Sequence, residues 1–422
     1  MRLLWFSHFI PYPPRGGAHQ RSYNLLRYVA RRYETTLVAF NLKAHSPDDL
    51  SDWQAGLAKD CARVVFWEMP VKWKSIRWGA KLILSPLRRR PYSCHCFWSP
   101  AMAVKWHVML REHQDALVHF DSIDLALFAG GAAGFRKVLN HHNCESAMAR
   151  RRAEVERSPA KKFYLQSQAA KLARLEQTTC PLFDVNLAVS EADARLLRKG
   201  SPEATFLVVE NSTDTDYFSP SSAPAEPDSL AFVSSLNWYP NISAIQYFVR
   251  EIWPLVKARR RDARLYVVGM KPSHSLAEWL RQDSGITLVD SPADVRPWMS
   301  KAAALICPMR DGGGTKVKIL DAMATGKAVV STSLGCEGLE VRHGENVLIA
   351  DTPEDFAARV LEALQDRVLR DRLGAQARSL VERKYNWSVV GSRLEEAYRQ
   401  ATGDKQWSVV SGQWSVISGW WH

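Results

Sequence analysis

Long apolar runs are missing from this 422-residue chain. None reaches the length of about 18 to 20 residues that a bilayer-spanning helix requires. The start of the chain has no secretory pattern, because Pro11, Pro13 and Pro14 interrupt the first apolar run. Cysteine is sparse and unpaired in number: Cys61, Cys94, Cys96, Cys144, Cys180, Cys307 and Cys336 are scattered and odd, which excludes a disulfide framework and points to a reducing compartment. Cys94, His95 and Cys96 stand too close together, with no second cysteine pair at zinc spacing, to form a structural metal site. No GxGxxG turn follows the first strand-like run, where only Arg15, Gly16 and Gly17 occur, so a dinucleotide oxidoreductase is disfavoured. The net charge is +12, yet no nucleic-acid recognition motif accompanies it. The expectation from these absences is a cytoplasmic protein with no metal and no nucleic-acid partner.

What is present is a chain long enough for two domains, with 46% hydrophobic residues. Strand-like and helix-like segments alternate through both halves, the pattern of parallel sheets covered by helices. Ser219–Ser229 (SPSSAPAEPDS) is rich in proline and serine and is the best linker candidate. Residues Ile306 to Thr332 read ICPMRDGGGTKVKILDAMATGKAVVST. A short apolar strand ends near Pro308, Gly312, Gly313 and Gly314 form a turn, and a helix capped by Thr315 runs to about Ala324 before Gly326 stops it. A glycine turn at a helix start, with Lys316 and Lys318 in the first turn, favours an anion, most naturally a phosphate.

Other segments extend this pattern: Phe232–Asn241 (FVSSLNWYPN), Leu265–Gly269 (LYVVG), Gly285–Met299 and Gly335–Leu339 (GCEGL). Together with the glycine loop they resemble the donor half of the retaining family 4 glycosyltransferases, over roughly residues 211 to 400. The first half is similar more loosely, in Leu3–Ser7 with Gly16 and Gly17, in Lys137–Glu145 (KVLNHHNCE), in Ala188–Ala192 and in Asn211 with Asp214. The resemblance implies an α/β chain of GT-B architecture, with two Rossmann-like doubly wound domains facing across a cleft and a C-terminal helix crossing back to the first. The expected division is 1–215 for the acceptor side, 228–385 for the donor side, 386–402 for the crossover helix and 403–422 for a tail.

The function implied is transfer of a sugar from a nucleoside-diphosphate sugar, a co-substrate and not a bound cofactor, to a glycan or lipid-linked acceptor, with retention and without a metal. Fixed positive groups and backbone dipoles would stabilise the leaving diphosphate. Gly16, Gly17, Gly313, Gly314, Thr315, Lys316 and Lys318 are the candidates for that role. Asp321 matches the ribose-binding carboxylate of the family, and Gly313 stands where relatives commonly carry a glutamate that contacts the sugar. That difference fits either a sugar contact made by the glycine backbone or a weakened enzyme. His142, directly before Asn143, is the catalytic candidate of the first half together with Lys318 of the second. His141 beside it points to the opposite face of a strand. Asn143 and Glu145 are candidates for the acceptor or sugar, Glu145 alternatively pairing with Arg150 or Arg151. The alternatives are a catalytically weak nucleotide-sugar binder and a GT-B sugar epimerase.

Lysines and arginines from Lys72 to Arg90 interleave with Trp73, Ile76, Trp78, Leu82 and Ile83. Such a run is either a solvated helical face or a dock for an anionic membrane surface, the latter placing the protein peripherally at the inner face. A second, more polar cluster is Arg150–Arg152 with Lys161 and Lys162. Beyond Thr402 two seven-residue units, QWSVVSG and QWSVISG, follow each other. They read as a low-complexity appendage, with a strand-prone terminus as the alternative.

Overall fold

The computed structural model describes residues 2–14, 16–42, 45–70 and 75–403. It forms two compact units, one taking the chain to Glu210 and again from Val390, the other Asn211–Val389. Each is built on a parallel sheet.

In the first unit the strands are β1 (Arg2–Ser7), β2 (Glu34–Asn41), β3 (Arg63–Glu68), β4 (Leu117–Phe120), β5 (Lys137–Asn140), β6 (Val185–Ala188) and β7 (Phe206–Val208). Their order is β3-β2-β1-β4-β5-β6-β7, with every neighbouring pair parallel. Helices cover both faces of such a sheet, which is why β1 reads as an unbroken apolar run with Leu3 to Phe6 fully buried. Phe6 anchors the core on one side, stacked on Trp106 at 4.3 Å between ring centres and edge-on to Phe128 at 5.2 Å.

The second unit contains β8 (Ser229–Val233), β9 (Arg264–Gly269), β10 (Ile286–Asp290), β11 (Ala304–Cys307), β12 (Ala328–Ser331) and β13 (Leu348–Ile349). They run in the order β10-β9-β8-β11-β12-β13, again all parallel. The winding reverses between β1 and β4 in one sheet and between β8 and β11 in the other. At such a reversal the loops leaving two adjacent strands diverge, which opens a crevice at their carboxyl ends.

Several boundaries differ from the sequence reading. The units divide at Glu210, so the Pro/Ser-rich segment lies inside the second unit and does not join the two. It is held there because the Glu226 N–H donates to the Lys301 carbonyl at 2.8 Å. The last helix is Trp387–Thr402 and from Val390 it belongs with the first unit. Tyr28 and Tyr33 hydroxyls donate to Glu395 of this helix, and Arg32 pairs with the same carboxylate.

All seven cysteines are buried free thiols. Among the described residues no helix is long and apolar enough to cross a membrane. Of the basic and aromatic run, Lys72, Trp73 and Lys74 lie outside the described residues, as does the repeat tail from residue 404. Further along the run, Ile76, Ile83 and Leu87 are largely exposed. Trp78 instead packs on the first unit's core, and Lys81 donates to the His95 carbonyl, so the run is not uniformly solvent-facing.

Candidate active site

The glycine loop leaves β11 at Cys307 and enters the helix Val317–Ala324. Gly312 and Gly314 have φ of 104° and 64°, values that disfavour a side chain. Thr315 is not the cap: Lys316 holds that position without a side-chain cap bond. The Thr315 hydroxyl and carbonyl are occupied by the Asn211 amide, which donates to both. The Lys316 ammonium folds back on the carbonyls of Gly313 (3.0 Å) and Gly314 (2.6 Å). Among the described residues nothing accepts the N–H groups of Gly313 and Gly314. The loop thus gathers its carbonyls on its own lysine.

Lys318 lies one turn along. Its Nζ donates to Ser234 Oγ at 2.8 Å and Asn241 Oδ1 at 2.5 Å, and sits 5.3 Å from the centre of the Phe232 ring. Burial pushes this ammonium down to about 8; the Cys307 side chain opposes the shift and the Lys316 charge adds to it. Ser234 and Asn241 come from the segment after β8, across the reversal of strand order, and neither was singled out from the sequence. Gly269 allows that segment to approach, since a Cβ there would stand 1.7 Å from the Ser234 carbonyl oxygen. Asp321 follows in the same helix, where Oδ1 accepts from the Thr213 hydroxyl at 2.6 Å. Thr332 braces the loop from β12, donating to the Met309 carbonyl at 2.6 Å.

In the first unit, Gly16 has φ 105° and caps the 14-residue helix Gly17–Ala30, so Gly16 and Gly17 sit at a helix N-terminus. Arg15 lies outside the described residues. His141 and His142 point apart. His141 is buried, with Nε2 near Asn186 Oδ1 (3.4 Å) and Cys180 Sγ (3.6 Å), and burial pushes it down to about 4. His142 keeps 10% exposure and donates from Nε2 to the main-chain oxygen of Asp121 at 2.9 Å. Its ring lies 5.4 Å from His8 and 6.0 Å from Phe9.

Asp121 is the residue the sequence reading missed. It follows β4 directly and is fully buried. Oδ2 accepts from Ser7 (3.1 Å) and Ser22 (2.6 Å), Oδ1 from Asn140 Nδ2 (2.8 Å). Burial alone would raise its pKa, but the bonds facing His119 and His142 outweigh that and hold it well below the usual carboxylate range. Arg21, also buried, fixes Asn140 from behind at 2.8 Å and the Glu210 carbonyl at 2.8 Å. The available signal was an Asp after the buried strand LVHF, beside the strand-order reversal, and that reversal is invisible until the pairing is known.

His8, Asp121 and His142 bring one ligand-capable atom each within 4.8 Å of one another. Two facts describe this group as a hydrogen-bonded hub. Both Asp121 oxygens already accept hydrogen bonds, and His142 Nε2 must carry a proton to bond a carbonyl oxygen. His8 is neutral, because burial, with His142 beside it, pushes it down to about 3. Asn143 donates to Glu145 Oε1 at 3.2 Å. Burial, reinforced by Asp124, pushes Glu145 up to about 8, so this carboxyl carries a proton at neutral pH and takes an amide partner, not the arginine given as the alternative.

Two family models match. Residues 15–217 fit the one described as Glycosyltransferase Family 4, and residues 227–366 the one described as Glycosyl transferases group 1. The chain belongs to the family 4 glycosyltransferases. This glycosyltransferase is 25% identical over 266 residues to an uncharacterized 44.6 kDa protein in the cps region of Klebsiella pneumoniae, covering 61% of this chain and 67% of that one. It is 30% identical over 164 residues to a phosphatidyl-myo-inositol mannosyltransferase of Mycobacterium tuberculosis, 36% of this chain and 42% of that one. The match therefore spans less than half the mannosyltransferase. In fold it is similar to the Anabaena protein HepE, solved in complex with UDP-glucose, with TM-score 0.65 at 13% identity over 94% of this chain and 99% of that one.

Proposed function

We propose that the chain is a hexosyltransferase that takes a sugar from a nucleoside-diphosphate sugar and passes it, with retention and without a metal, to a glycan or lipid-linked acceptor. The observation that carries this is the loop Gly312–Lys318 at the strand-order reversal of the second sheet. It combines unengaged main-chain N–H groups with an ammonium held in place by Ser234 and Asn241. A diphosphate that leaves as the glycosidic bond breaks gains negative charge, and fixed dipoles with a poorly hydrated cation stabilise it most where water is excluded.

In this reading Lys318 and the N–H groups of Gly313 and Gly314 hold the diphosphate, while Lys316 shapes the loop through its own carbonyls. Thr315 ties the loop to Asn211, and Asp321 receives the ribose hydroxyls. Gly16 and Gly17 form a helix N-terminus of the kind that suits an anion. His142 accepts a hydroxyl of the transferred sugar at Nδ1, and Asn143 and Glu145 bind the acceptor. The bond from the anomeric carbon to the phosphate oxygen breaks, the acceptor oxygen bonds the same face, and the acceptor's proton passes to the leaving phosphate.

The relatives support the substrate classes. HepE was solved with UDP-glucose, the mannosyltransferase is named for a hexose and a lipid acceptor, and the Klebsiella protein is encoded in a cps region. A polysaccharide pathway at the inner face of the membrane is the setting we infer. Ile83 and Leu87, followed by Arg88, Arg89 and Arg90, would dock there on anionic lipid.

The test is turnover: purified protein with a panel of nucleoside-diphosphate hexoses and polyprenyl- or glycan-linked acceptors, reading nucleotide release and the anomeric configuration of the product. Release with a retained linkage is expected. An inverted linkage, an epimerised donor, or binding without transfer would overturn the reading.

A further inference from the structure

The polar groups packed at the reversal of the first sheet converge on one carboxylate that is closed to solvent. Asp121 is 0% exposed, and four side chains from four elements and a fifth from the loop after β5 face it. Ser7 ends β1, Ser22 lies in the first helix, Asn140 ends β5, and His119 belongs to β4 itself, with Nε2 at 3.8 Å from Oδ1. The fifth is His142, whose Nε2 lies 2.9 Å from the Asp121 main-chain oxygen and 3.6 Å from Oδ1. His119 is fixed in turn, stacked on Trp5 at 3.7 Å and hydrogen-bonded at Nδ1 to the Tyr398 hydroxyl at 2.8 Å.

We propose that Asp121 is the positioning residue of His142: it fixes the ring's orientation and its Nε2–H tautomer, so that Nδ1 is presented to substrate as a hydrogen-bond acceptor. The argument is one of hydrogen-bond direction. A carbonyl oxygen only accepts, so the Nε2 bonded to it carries the proton, and in a neutral imidazole the other nitrogen must then be the acceptor. The carboxylate 3.6 Å from the same nitrogen favours the same arrangement. Three donors hold that carboxylate, so it cannot swing away without breaking bonds to Ser7, Ser22 and Asn140. A partner behind a functional histidine that sets its tautomer is costly to remove. The substrate side of the inference rests on the transferase reading above, whereas the tautomer itself does not.

Two measurements on the full chain separate these. Long-range nitrogen–proton NMR of the wild type, with the His142 signals assigned by their loss in His142→Gln, should show Nε2 protonated and Nδ1 bare. A protonated Nδ1 would overturn the proposal without any further variant. Asp121→Asn keeps the shape and removes the charge. It should lower kcat by about 10- to 100-fold, leave the donor KM within about twofold because the diphosphate loop belongs to the other unit, and reduce the Nε2–H population of His142. A folded Asn variant with wild-type tautomer and kcat would overturn the proposal. A wild type that turns over no donor contradicts the transferase reading, and the NMR result still decides this one.

Discussion

Lys318 shows how a residue proposed for the site can be costly to the fold. Its ammonium is pushed down to about 8 by burial, while in the unfolded chain it keeps its proton up to the ordinary lysine range. The unfolded state therefore binds more protons between pH 8 and about 10.5, and the penalty for the buried charge is full below pH 8 and fades as pH rises through that window. Lys318→Met should hold or raise Tm at pH 7, and calorimetry checks it. The same variant should weaken binding of a nucleoside diphosphate by about 10- to 100-fold, the size of a lost charge-assisted hydrogen bond. In the wild type that affinity should be flat at neutral pH and decline above pH 8, where the loop loses its cation. Glu145 runs the other way. Its carboxyl is pushed up to about 8, so the folded state retains a proton the unfolded state has released, and stability falls as pH rises from about 4.5 to 8. Glu145→Gln keeps the protonated shape and should gain Tm over the wild type across that range, most at its upper end.

At the scale of elements, the glycine turns do two different jobs. Gly314 supplies a left-handed backbone angle of 64°, and Gly314→Ala should cost about 1–2 kcal/mol with distortion of the loop and loss of nucleotide binding. Gly269 supplies clearance, because a Cβ would meet the Ser234 carbonyl at 1.7 Å. Gly269→Ala should cost about 1–3 kcal/mol and shift Ser234 off Lys318, lowering both Tm and affinity in the same variant. The strand runs were legible because strands buried on both faces are apolar without interruption, as LLWF and ALIC are, and the glycine loop was legible because its composition has few other uses. What could not be read was pairing across the sheet. Ser234 and Asn241 meet Lys318, and Ser7, Ser22 and Asn140 meet Asp121, only because the strand order reverses between β1 and β4 and between β8 and β11. The cap was misplaced by one residue because Thr315 is recruited by Asn211, more than a hundred positions earlier, a contact that no local pattern records.

At the scale of the whole molecule, the proposed membrane docking rests on charge and exposed apolar surface. The net charge of +12 is partly concentrated at Arg88, Arg89 and Arg90, next to the exposed Ile83 and Leu87. If this surface rests on anionic lipid, the wild type should float with phosphatidylglycerol vesicles, and an Arg88→Glu, Arg89→Glu, Arg90→Glu variant should stay in the soluble fraction with its nucleotide affinity intact. The central claim is that the second unit holds a nucleoside diphosphate through Lys318, and the most direct test is thermal shift of wild type and Lys318→Ala against a panel of nucleoside diphosphates and nucleotide sugars. The account predicts a rise in Tm with one nucleotide family that is lost in the variant; equal stabilisation of both proteins, or no response of the wild type to any member, would contradict it.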